Sequence, residues 1–142
     1  MATVTASISL SSSDLIPSQV LSMSASKTLY KAGSSAEGVD EIDLGRIEVP
    51  TGTNFDLVDA TALGADKKNY VYIANLTTTE SNYVIVSSHD HVIGRLYAGD
   101  FMWLPCSFTA ATDDIEVQAY NGTATLEYAV FHEGRTLGTA AD

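Results

Sequence analysis

The sequence has a single cysteine, Cys106, among 142 residues, so no disulfide can close within the chain. Basic residues are scarce. Seven Lys and Arg stand against 18 Asp and Glu, and the resulting net charge of -11 repels phosphate backbones and anionic lipid surfaces. Nucleic acid and membrane are therefore poor partners. Long apolar runs are missing as well: stretches such as residues 70–74 and 128–131 fall far short of a bilayer-spanning helix. Residues 1–10 hold no basic residue and no continuous apolar stretch, unlike a secretory signal. With the lone thiol, this points to synthesis and folding in a reducing cytoplasm.

No sustained helical period and no internal repeat of propeller or solenoid length is present. What remains is alternation. Hydrophobic residues make up 45% of the chain and are interspersed with polar ones, which suits one strand-built core in a single domain over residues 1–142. An N-terminal strand or arm spans 1–13 and a C-terminal tail spans 133–142. Val4, Ala6, Ile8 and Leu10 share one face of the first strand, which reads as half-buried, and Thr3, Thr5, Ser7 and Ser9 share the other. Ser11-Ser12-Ser13-Asp14 offers turn chemistry and Pro17 is unsuited to a central strand, so the chain reverses before Val20, and Leu21, Met23 and Ala25 then form the apolar face of a second strand.

Residues 31–40 lack any apolar period and read as an exposed loop with room to move. In residues 42–49 the apolar positions change parity across Gly45, which predicts a β-bulge. Phe55 and Leu57 begin a short strand, and residues 60–68 form one helical turn or an irregular connection. Residues 70–74 predict a strand buried on both sides, with residues 83–86 as its hairpin partner. Asn121-Gly122 predicts a type I′ turn pairing Tyr120 with Thr123, which sets Val117 opposite Leu126 and Glu116 opposite Glu127. Eight to ten short strands at this spacing give an all-β antiparallel sandwich, a jelly roll or a related Greek key.

Few residues carry chemistry. His89-Asp90-His91 is a metal candidate because residues two apart on a strand point the same way, but no third Cys or His is near and His132 is distant in sequence. Glu116 with Glu127 is the one carboxylate pair of inferable geometry, and a glycosidase would need a sugar-sized cleft around it. Both sites read better as solvated surface. Cys106, after Pro105, reads as a packed thiol. Tyr70, Tyr72, Phe101 and Trp103 could line a carbohydrate site but sit where apolar strands demand core residues. The sequons at Asn75 and Asn121 matter only in a secreted eukaryotic chain. No Gly-x-Ser-x-Gly elbow, Gly-rich phosphate loop or His-Glu-x-x-His helix occurs. No catalytic, cofactor-binding or metal-ligating residue is assigned, and the chain reads as a non-enzyme.

Three phrases carry a resemblance: Val71-Tyr72-Ile73-Ala74-Asn75-Leu76, then Ile93-Gly94-Arg95-Leu96-Tyr97-Ala98-Gly99-Asp100-Phe101, then Ile115-Glu116-Val117-Gln118-Ala119-Tyr120 leading to Ala124-Thr125-Leu126-Glu127-Tyr128. In order and spacing they resemble small virion structural proteins of tailed bacteriophages. The likeness covers under half of the chain and rests on strand pattern rather than chemistry. It implies a β-sandwich that decorates or cements a capsid, a symmetric oligomer with a trimer favoured, contacts to the major capsid protein or other virion proteins, and assembly in the host cytoplasm. Tail, neck or fibre placement and a carbohydrate-binding sandwich are the alternatives. It carries over no functional residue.

Overall fold

Among the described residues ten strands form, most of them where apolar residues alternate: β1 (Thr5–Ile16), β2 (Gln19–Thr28), β3 (Glu41–Val49), β4 (Asn54–Val58), β5 (Asn69–Asn75), β6 (Tyr83–Ser88), β7 (His91–Tyr97), β8 (Phe101–Cys106), β9 (Ile115–Tyr120) and β10 (Ala124–His132). One helical turn, α1 (Ala60–Leu63), sits between β4 and β5. The computed structural model describes residues 3–34, 36–39, 41–63, 67–108 and 113–133. Apart from Glu133, the tail expected at 133–142 lies outside the described residues, as do Met1 and Ala2 of the N-terminal arm.

The strands make two four-stranded antiparallel sheets, ordered β3-β10-β5-β8 and β4-β9-β6-β7, and a separate two-stranded ribbon of β1 and β2. Of the consecutive sandwich strands, only β6 and β7 are paired neighbours in one sheet; the other connections cross between sheets. This is the strand order of a jelly roll, the β-sandwich expected from the strand spacing. The crossings follow from burial. Val71 and Ile73 of β5, Val84 and Val86 of β6, Val117 and Ala119 of β9, and Ala124 and Leu126 of β10 each lose essentially all solvent contact. Burying one Val, Leu or Ile side chain stabilises by about 1.5–3 kcal/mol, and only two sheets facing each other can cover both sets.

Three expectations are corrected. The strands β9 and β10 are not a hairpin, since β9 pairs with β4 and β6 while β10 pairs with β3 and β5. Their apolar rows meet across the core, which satisfies the same inward parity that side-by-side pairing would. Asn121 at φ 64° and Gly122 at φ 142° make the crossing. Likewise β5 and β6 lie in different sheets. There is no bulge at Gly45, because β3 pairs with β10 in unbroken register from Val49 to Glu41. The parity change instead marks a change of face: Ile47 and Val49 turn to the core, while Ile42 and Leu44 turn outward and stay exposed. Gly45 faces the Tyr128 ring, where a Cβ would lie 3.4 Å from the phenol oxygen. The first reversal falls before Val20 as expected, at Pro17-Ser18 with Ser18 at φ 63°, and β1 extends past residue 13 to Ile16 with a register shift after Ser12, whose hydroxyl accepts from the Leu15 amide at 3.0 Å.

The described residues of the 31–40 segment fold back rather than extend. Tyr30 bridges to Gly38, the Lys31 amide donates to the Glu37 carbonyl at 2.8 Å, and Val39 is buried beside Leu29. Glu133 pins this segment from across the chain: its carboxylate accepts from the backbone amides of Ala32 and Lys68. The ring of His132, fully buried, sits between the Glu133 carbonyl at Nδ1 and Asp43 at Nε2.

Candidate functional site

The ribbon has two chemically distinct faces. Cross-strand pairs Thr5–Thr28, Ser7–Ser26, Ser9–Ser24 and Ser11–Ser22 give one face of hydroxyls. The alternate pairs Ile8–Ala25 and Leu10–Met23, with Leu21 opposite Ser12 and Lys27 opposite Ala6, give a mostly apolar face. Only the ribbon's base packs against the sandwich, where Val4 and Ala6 join a small cluster with Leu29, Val39, Tyr70, Trp103 and Phe131. Beyond that base the apolar face stays open: Ile8, Leu10 and Met23 are 43%, 49% and 58% exposed. The strand read as half-buried is thus mostly exposed.

Opposite the ribbon lies the outer face of the β3-β10-β5-β8 sheet. Its register sets Ile42, Phe131 and Tyr70 in one cross-strand row, and Leu44, Ala129, Tyr72 and Trp103 in the next. Phe101, 60% exposed, stands at the end of a third row beside Ala74. A cleft of about 450 Å³ opens between ribbon and sheet, with Ala6, Ile8 and Ala25 on one side and Tyr72, Phe101 and Trp103 on the other. The Trp103 indole is held by Tyr70, stacked at 5.5 Å, and by Phe131 at 6.1 Å. Burial raises the Tyr70 phenol above its ordinary pKa and keeps it neutral. Of the four aromatics read as core, Tyr70 fits that reading, Tyr72 and Trp103 are half-buried in the cleft, and Phe101 faces outward.

The other sequence candidates fall apart in space. His89 and Asp90, at φ 49° and 62°, occupy the two central positions of the β6–β7 turn, as a type I′ turn requires, and Ser88 pairs with His91 across it. The imidazoles of His89 and His91 lie 6.2 Å apart, with Asp113 3.7 Å from His89 Nδ1. His132 is buried elsewhere. Among the described residues no three His, Cys, Asp or Glu side chains converge. Glu116 and Glu127 belong to opposite sheets: Glu116 accepts from the Asn54 amide nitrogen, and Glu127 pairs with Arg46 at 3.2 Å. They do not form a pair. The Cys106 thiol, at the end of β8, is pushed up to about 11 by burial, partly offset by Lys68. It is a poor nucleophile near neutral pH.

Of the two sequons, Asn75 is fully buried, donating from Nδ2 to the Leu96 carbonyl at 3.0 Å and accepting the Thr77 amide at 3.1 Å, so no glycan can be attached in the fold. Asn121 is exposed. A cluster that the linear pattern did not disclose lies on the outer face of the second sheet. Tyr97, Tyr83 and Tyr120 form a cross-strand row with ring spacings of 5.2 Å, and Arg95 lies 4.3 Å over Tyr83 while donating to the Tyr97 hydroxyl. The hydrogen bond to Tyr97 raises the Arg95 pKa and the guanidinium stays cationic. Because the rings face one another, this row is a structural brace; register between β6, β7 and β9 was the missing information.

Comparison with protein-family models, curated proteins and solved structures finds no match. The site therefore rests on its own geometry: a largely apolar cleft, with Lys27 as its one charged lining residue, continuous with an exposed ribbon face and suited to holding another surface.

Proposed function

We propose that this chain is a structural assembly protein of the virion-decoration kind, acting through protein–protein contacts and without catalysis. The observation that carries the reading is the β1–β2 ribbon, which projects an apolar face that the other described residues leave uncovered. A two-stranded hairpin is at best marginally stable alone in water, and exposed contiguous apolar surface marks an interaction site. The cement role on a capsid, beside the major capsid protein, is what the phrase resemblance adds. The acidic body, with residues 31–142 carrying the whole net charge, suits a surface that stays soluble until it docks.

The test is a ribbon-shortened chain in which residues 9–24 are replaced by an Asn-Gly turn, leaving the packed base intact. The shortened sandwich should fold and lose particle occupancy in co-sedimentation with shells. Full occupancy without the ribbon would contradict the reading. A second reading, carbohydrate binding, is favoured by Tyr72 and Phe101 lining the cleft. Glycan binding abolished by Phe101→Ala in a folded chain would establish it, and no binding to any glycan would remove it.

A further inference from the structure

We infer that the partner seated on the ribbon and its cleft is a second copy of this chain, whose own ribbon lays its apolar face against them. The inference rests on the assembly reading and names its first contact. Three observations carry it.

The first is charge. Among residues 1–30 only Asp14 and Lys27 are charged, so the ribbon is neutral overall on a chain of net charge -11. Two such acidic bodies repel each other, and the ribbon is the one long element through which they can meet without bringing acidic surfaces together. A basic partner would instead be drawn to the body. The occupant is one with an apolar face and no net charge, which the ribbon itself has.

The second is shape. Leu10 and Met23 sit opposite each other on the exposed face, and Phe101 and Leu44, 60% and 67% exposed, prolong the apolar surface across the sheet. Ribbon face and sheet face are both flat and apolar, so each can cover its counterpart in a two-fold pair, as an isologous interface requires.

The third is area. A ribbon of this length is about 35–40 Å long and two strands, about 10 Å, wide. One face therefore offers on the order of 400 Å², and two ribbons meeting face to face bury about 800 Å² in total, less than the 1,200–2,000 Å² of a stable pair. Laid on the partner's outer sheet wall instead, each ribbon face covers a like area of that wall, and the two such contacts of a two-fold pair total about 1,600 Å² by the same measure. Each ribbon thus lies on the partner's sheet wall rather than on the partner's ribbon alone.

The experiment is sedimentation of the full chain from low micromolar concentration upward, beside two variants: Leu10→Ser with Met23→Ser on the ribbon, and Phe101→Ser on the sheet. All three positions are exposed in the single chain, so circular dichroism should be unchanged. The parent chain should sediment as two or more copies, and each variant should raise the dissociation midpoint at least tenfold. Leu10→Cys mixed with Phe101→Cys should give a disulfide between chains under mild oxidation. A parent chain that stays monomeric at every concentration, or an oligomer indifferent to both variants, overturns the inference. An oligomer that obeys these variants yet ignores shells would leave the self-contact standing and remove only the virion role.

Discussion

Gly122 has φ 142°, a conformation that side chains with a Cβ rarely adopt, and a Cβ there would lie 2.6 Å from the Asn82 amide nitrogen. Asn82 is itself buried and cannot swing aside freely. Gly122→Ala should cost about 2–3 kcal/mol in urea denaturation, from strain plus displacement of a buried amide. A change below measurement error would mean the crossing is more open than described. At Cys106 the sign follows from burial: the folded thiol ionises near 11, the unfolded one near its ordinary 9.0. The raised folded value favours the fold below about pH 9, and that contribution is lost as pH climbs through about 11. Melting of the parent chain should therefore fall more steeply than that of Cys106→Val above pH 9; parallel slopes would contradict a buried, neutral thiol.

At the level of elements, alternation located nearly every strand but not its neighbours. Val117 and Leu126 were legible as inward-facing, yet inward parity is the same whether β9 and β10 pair edge to edge or face each other across a core, so the hairpin reading failed on topology alone. Glu116 and Glu127 were separated by that same error. The ribbon failed differently: Ile8 and Leu10 have the pattern of a half-buried strand, and no local signal says that the other described residues leave that face uncovered. The two kinds of apolar residue should respond oppositely to truncation. Leu126→Ala should cost about 2–5 kcal/mol as a cavity between the sheets, whereas Leu10→Ala in dilute solution should stay within about 0.5 kcal/mol. Equal losses would place the ribbon within the cooperative core.

For the whole molecule, the jelly roll is an acidic body and the ribbon with its cleft is the part that we propose meets another surface. The sandwich buries its own core completely, so the exposed Leu10, Met23, Leu44 and Phe101 are surplus to its folding. Hydrogen exchange of the ribbon amides, residues 8–25, at increasing protein concentration tests this most directly. Protection of those amides should rise with concentration while that of β5 and β10 stays constant. Ribbon amides that exchange equally fast at every concentration would show that the apolar face remains bare, and would contradict assembly through it.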